Sequence, residues 1–343
     1  MARATSDYDE SDARIRPSKR GSRPRSKDRP AHLDAVPGMV IGVDRGRYHV
    51  LMEPGTGDER MVTSMRAREL GRKGIVVGDD VFVVGDVSGS PDALARVVRV
   101  GQRRTLLRRT ADDTDPVERV IVSNADQLVV VCALANPEPR PRLIDRCLVA
   151  AYDAGMTPLL ALTKADLADP APFLENYAPL EVRSVITATT ESEGTDGLEA
   201  VRDALRGHVS VLVGHSGVGK STLVNALVPN AYRAVGVVND VTGRGRHTST
   251  SAVALRLPDG DGWVIDTPGI RSFGLAHVDP ERIVTHFPEL EAGTGNCPRG
   301  CSHDEEECAL DEWVADGHAG PSGVSRLESL RRLLRTRNPQ TGD

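Results

Sequence analysis

"VSVLVGHSGVGKST", residues 209–222, decides how the rest of the chain is read. Five strand-forming residues, Val209 to Val213, run into a glycine-rich turn with the spacing Gly, four residues, Gly-Lys-Ser, and a helical pattern follows. Gly214, Gly217 and Gly219 permit the tight curl that turns successive backbone N–H groups inward. The helix after them presents its positive end to the same point. The stretch is therefore a phosphate-binding loop. Its nucleotide-facing residues are Gly214, His215, Ser216, Gly217, Val218, Gly219, Lys220, Ser221 and Thr222. Lys220 is placed to reach the outer phosphate oxygens as a catalytic group, and the Ser221 hydroxyl to ligate Mg²⁺.

Downstream, "WVIDTPG", residues 263–269, reads as a strand delivering Asp266 to the same edge, where it binds Mg²⁺ through water. Gly269 then offers a backbone N–H at the terminal phosphate. Between the two motifs lies "VGVVNDVTGRGRHTSTSAV", residues 235–253, rich in glycine and threonine. A switch loop needs a hydroxyl that closes onto Mg²⁺. Thr248 is the first choice and Thr250 the second. Many enzymes of this kind place a glutamine after the glycine of the last motif to orient the attacking water. Here that position is Ile270, so slow unassisted hydrolysis is expected, with His247 as the local replacement.

Upstream stands "LTKADL", residues 162–167, fifty residues before the phosphate loop when counted from Lys164 to Gly214. Thr163, Lys164, Ala165 and Asp166 have the form of a guanine-reading loop, which ordinarily comes last. A carboxylate at Asp166 accepts two hydrogen bonds from guanine, whereas adenine has no matching donors, a mismatch that discriminates strongly. Lys164 lies along the base and braces the phosphate loop, and Thr187 and Ala188 of "TAT" back the base. All these loops follow strands, so all fall on one edge of a parallel sheet. Joining the original termini and opening the chain elsewhere preserves that edge. The reading is a circularly permuted GTPase domain.

"CPRGCSHDEEEC", residues 297–308, supplies Cys297, Cys301, His303 and Cys308. Three thiolates and an imidazole make a closed tetrahedral set for one structural Zn²⁺ per chain. Cys132 and Cys147 lie on apolar stretches and read as small buried hydrophobes. Residues 36–104 break into short alternating strands with frequent turns, the pattern of an OB-type barrel. Before them, Arg14 to Arg29 holds eight basic residues against one acid, Asp28, too polar to fold alone. A second cluster, "RVGQRRTLLRR", holds Arg99, Arg103, Arg104, Arg108 and Arg109. Two basic elements in a 343-residue chain of net charge −6 point to nucleic acid. No apolar run approaches the roughly 18 to 20 residues of a membrane span, and no secretory signal opens the chain. A cytoplasmic, monomeric protein without membrane contact is expected.

With these motifs in this order, the chain resembles the ribosome-small-subunit-dependent GTPases of the RsgA or YjeQ family, from about residue 36 almost to its end. The resemblance implies an all-β OB-fold that binds RNA over residues 36–104, after a basic tail over 1–35 expected to be disordered. It implies an α/β permuted P-loop GTPase domain over 105–278 and an α-rich zinc domain over 279–343. It further implies Mg²⁺-dependent hydrolysis of GTP to GDP in late maturation of the small (30S) subunit, contact with its rRNA, and stimulation by the subunit that drives release. Two features depart from the family pattern. Thr163 stands where asparagine is usual, and the gaps between the Cys and His residues are compact. An RNA-binding factor merely gated by nucleotide, and a metabolic ATPase or kinase, are the competing readings.

Overall fold

The strand order follows from where the apolar residues are continuous and where they alternate. Strand β8 (Gln127–Ala133) is buried at every position and lies between two parallel neighbours, β9 (Thr157–Thr163) and β13 (Val209–Val213). A strand covered on both faces has no use for alternation, so it reads as a continuous apolar run. The computed structural model of the chain describes residues 32–71, 74–110, 118–189, 195–229, 252–267, 274–275, 277–305 and 307–336. Most of the basic tail expected over residues 1–35 lies outside them, as do His247, Thr248 and Gly269.

Outward from β8 the parallel sheet continues through β9 to β10 (Arg183–Ile186) on one side, and through β13 to β15 (Trp263–Asp266) on the other. Strand β14 (Val253–Arg256) then pairs antiparallel with β15. Helices flank this sheet: α1 (Pro141–Asp153), α2 (Ala171–Tyr177), α3 (Leu198–Leu205) and α4 (Lys220–Leu227). The short strands β11 (Ala188–Thr189) and β12 (Thr195–Asp196) form a separate ribbon.

The N-terminal strands β1 (Val36–Asp44), β2 (Arg47–Met52), β3 (Arg60–Arg66), β4 (Asp80–Val84) and β5 (Ala95–Val100) form the expected barrel. Pairing runs β1–β2–β3–β5–β4, and β1 closes onto β4. Val40, Val50, Met52, Val83 and Val97 fill its interior. Sequence alone does not show that β1 also pairs with β14, through Gly42 and Val253. Barrel and nucleotide-type sheet are thereby one hydrogen-bonded surface, reinforced by a bidentate pair in which Arg256 reaches Glu59 at 2.7 and 3.1 Å.

The cluster "RVGQRRTLLRR" is largely engaged within the protein. Arg103 grips the fully buried Asp79 through two nitrogens at 2.6 and 2.8 Å, and Ser123 donates to the same carboxylate. Arg108, on the hairpin of β6 (Leu106–Arg109) and β7 (Arg119–Ser123), reaches Glu118 and the buried Asp153. Arg99 stacks on the ring of Phe82 at 3.8 Å. Burying a carboxylate demands a cation beside it. That demand, rather than a nucleic-acid surface, accounts for Arg103 and Arg108.

Helix α1 is expected from its sequence to be amphipathic, yet every residue from Ile144 to Asp153 is buried. One face lies on the sheet. The other is covered by the C-terminal elements α5 (Pro280–Val284) and α8 (Gly323–Arg335), with α6 (Pro288–Glu291) and α7 (Ala309–Ala315) completing that layer. The core shared across the junction includes Leu148, Phe287, Leu290, Leu330 and Leu333. The buried charges of α1 are answered from the far side: Arg332 pairs with Asp145 at 3.1 Å, and Arg146 donates to the Thr336 carbonyl at 2.6 Å. Burial nevertheless pushes the Asp145 carboxyl up to about 6 against the pull of Arg332.

Candidate nucleotide site and metal centre

The phosphate loop sits between β13 and α4, as its spacing requires. Gly214 approaches the β8 backbone so closely that a Cβ there would lie 2.6 Å from the Val131 carbonyl oxygen. Gly217 and Gly219 hold φ of +84° and +90°, the left-handed region that side chains disfavour. Lys220 opens α4 with its ammonium buried, donating to the Asp266 carboxylate and the Thr267 carbonyl. Asp266 ends β15 one strand over, so the sheet itself brings the two motifs together. Ser221 and Thr222 are exposed on the first turn of the helix.

The base-reading loop follows β9, on the far side of β8 from the phosphate loop's own strand. Two bonds tie it to the phosphate loop. Thr163 Oγ1 donates to the Val218 carbonyl at 2.6 Å, and Lys164 Nζ donates to the Gly217 carbonyl at 3.0 Å. Thr163 is only 6% exposed, so this bond is made away from water. Threonine in place of asparagine therefore still links the two loops. Thr187 lies behind them: its N–H donates to the Leu162 carbonyl, and its own carbonyl accepts from the Ala165 N–H at 3.1 Å. Asp166 is exposed at the loop tip.

Sequence reasoning missed the turn after β8, residues 134–137. Leu134 N–H donates to the Thr163 carbonyl at 3.0 Å, and the Asn136 carbonyl accepts from Lys164 Nζ. The signal available was Asn-Pro directly after a buried strand, a good turn in its own right. Beside this turn a small cavity of about 20 Å³ lies between β8, the start of α1 and the phosphate loop, with Cys132 and Cys147 in its wall. Both cysteines are buried, and burial pushes their thiols up to about 11 and about 12. They are packing residues, as expected.

The Cys/His segment comes together as a cluster. The donor atoms of Cys297, Cys301, His303 and Cys308 all lie within 4.8 Å of one another. The Sγ atoms of Cys297 and Cys308 are 3.9 Å apart, and His303 Nδ1 is 3.6 and 3.9 Å from them. A tetrahedron with metal–sulfur legs of roughly 2.3 Å has edges of about 3.8 Å, so the set fits one metal ion. Its frame is held from α8, where Arg331 donates to the His303 carbonyl at 2.9 Å and grips Asp311 with two nitrogens.

The loss of one bond at Thr163 has a measurable size. Thr163→Val keeps the shape but leaves the Val218 carbonyl without this donor, a change worth about 1 kcal/mol. Binding of a fluorescent GDP analogue is expected to weaken by roughly fivefold. A titration showing unchanged affinity would mean that the loops hold their positions without the hydroxyl.

A parallel sheet whose phosphate loop and base-reading loop meet across β8, with the base-reading strand earlier in the chain, defines a circularly permuted P-loop GTPase. The family model described as RsgA GTPase matches residues 100–276. A Pseudomonas aeruginosa protein named small ribosomal subunit biogenesis GTPase RsgA is 44% identical over 265 residues, 76% of this chain and 75% of the relative. A Gemmatimonas aurantiaca protein of the same name is 34% identical over 307 residues, 88% and 98% of the two chains. The crystal structure of YjeQ from Thermotoga maritima superposes with a TM-score of 0.59 at 26% identity, over 88% of this chain and 98% of that one. YloQ, described as a circularly permuted GTPase, gives a TM-score of 0.60 at 22% identity over 91% and 100%, a likeness of fold. The chain belongs to the RsgA GTPase family.

Proposed function

We propose that this GTPase of small-subunit biogenesis binds guanine nucleotide across the phosphate loop and residues 163–166, and hydrolyses GTP to GDP while docked on the small ribosomal subunit. The observation that carries the reading is the pair of bonds from Thr163 and Lys164 to the Val218 and Gly217 carbonyls, which make two distant motifs one site. The backbone of Gly214 to Gly219 and the start of α4 receive the phosphates, and Lys220 moves from Asp266 to the outer phosphate oxygens. Ser221 and Asp266 would hold Mg²⁺, which would supply positive charge against the negative charge on the outer phosphates. Asp166 selects guanine, backed by Ala165, Thr187 and Ala188. Thr248, Gly269 and His247, which lie outside the described residues, complete the site as the switch hydroxyl, the terminal-phosphate N–H and the water-orienting group.

The domain limits read from the sequence, 36–104, 105–278 and 279–343, are kept in this proposal, with rRNA contact by the barrel and the basic tail. The metal of the Cys/His cluster is zinc, because three thiolates and one imidazole in a closed set suit it. Its role is to fix the segment over residues 297–308 against α8. No helix among the described residues is long and apolar enough to cross a membrane. A factor that acts on the small ribosomal subunit works in the cytoplasm, and we read it as a monomer. The nucleotide assignment is tested by competing GDP, GTP and ATP against the fluorescent GDP analogue. Displacement by GDP and GTP at concentrations where ATP has no effect is expected, whereas equal displacement by ATP would remove the guanine assignment.

A further inference from the structure

Three chain segments converge on one ammonium. Lys164 Nζ donates to the Gly217 carbonyl of the phosphate loop at 3.0 Å and also to the Asn136 carbonyl of the turn that follows β8. The turn is fastened to the base-reading loop a second time, by the Leu134 N–H donating to the Thr163 carbonyl at 3.0 Å. It also borders the phosphate loop, since a Cβ placed on Gly217 would lie 3.7 Å from Pro137 Cδ.

From this juxtaposition we infer that Asn136 is a positioning residue of the nucleotide site, acting through Lys164. The inference rests on the guanine-nucleotide reading above. Asn136 holds φ at +47°, and its side chain is exposed. Asparagine and glycine tolerate that left-handed backbone, while a β-branched residue does not. The conformation decides where the carbonyl points, and the carbonyl decides where the lysine ammonium rests. A lysine held by two carbonyls has already given up the rotamers that it must lose to lie along a base. One held by the phosphate loop alone keeps more of them and loses them on binding. The turn therefore acts on affinity and leaves the chemical step alone.

The test compares Asn136→Val and Asn136→Gly in the full-length protein, each in the native background and with Lys164→Met. Binding of the fluorescent GDP analogue and steady-state GTP turnover are read together. Asn136→Val is expected to weaken GDP about tenfold. KM for GTP should rise in parallel and kcat should stay within about twofold, the pattern of lost uniform binding. Asn136→Gly, which accepts the same φ, is expected to restore affinity to within about twofold of native. With Lys164→Met present, Asn136→Val should cause no further loss. Should Asn136→Val melt below the assay temperature, Asn136→Ala carries the same comparison, with a smaller loss of the same sign expected. Native affinity in both the Val and Ala variants would overturn the inference, as would a full tenfold loss that persists with Lys164→Met. Failure of the native chain to bind GDP is a separate result that removes the nucleotide reading itself.

Discussion

Lys220→Ala is expected to lower GTP turnover by about two to three orders of magnitude, measured under single-turnover conditions at saturating GTP. The size follows from removing one preorganised positive group from developing phosphate charge. The substitution has a second effect that must be separated from the first. Lys220 is buried and donates to Asp266 and to the Thr267 carbonyl. Its removal takes the cation away from a buried carboxylate, at a cost of about 3–5 kcal/mol in stability. Partial unfolding alone would also slow turnover. Reading turnover well below the variant's own melting midpoint, where the chain is fully folded, separates the two, and turnover should stay low there. Recovery of turnover once the variant is fully folded, or turnover within threefold of native, would show that Lys220 acts structurally.

The second large effect concerns the metal. Cys308→Ser is expected to reduce bound zinc from one ion per chain to well below one, read by elemental analysis of the purified protein. The melting midpoint should fall by about 10 °C, because binding energy at a structural zinc is folding energy. Cys308 is buried at the start of α7 and belongs to the same core as Leu310, Leu330 and Leu333, so losing the ion loosens more than its own loop. The pH dependence has a definite sign. Burial raises the Cys297 thiol and pushes Cys301 up to about 12, so without metal both carry protons at neutral pH. A zinc ion bound by these thiolates would have to displace those protons, so its affinity is expected to fall as the medium is acidified. A protein that keeps its midpoint after Cys308→Ser, and again after chelation, would not be held together by this cluster.

Much of the candidate nucleotide site is legible in the sequence because its chemistry is local. Phosphate binding needs glycines and a lysine at fixed spacing on a strand-to-helix turn, and residues 209–222 carry that whole pattern in one stretch. The Cys/His set is legible for the same reason: residues 297–308 hold all four donors of the cluster that could take one metal ion. What stays hidden depends on partners distant in the chain. The Thr163 hydroxyl finds its acceptor 55 residues away, and Arg146 finds the Thr336 carbonyl across 190. Arg103 reads as nucleic-acid chemistry because a sequence does not show Asp79 buried at its side. The seam between β1 and β14 has no signature, since an open strand edge accepts whatever compatible edge meets it. The Asn-Pro pair at residues 136–137 marks a turn, but its tie to Lys164 gives no signal because it is made by a backbone carbonyl, which every residue has.

Whether these loops form a GTPase site that the small ribosomal subunit completes is decided by turnover. GTP hydrolysis by the purified protein should be measured alone and with isolated small subunits, with ATP as the control nucleotide. Slow turnover is expected from the protein alone, since Ile270 cannot orient water, and a large stimulation by the subunit confined to GTP. Turnover unaffected by the subunit, or stimulated equally with ATP, would contradict a subunit-completed GTPase site.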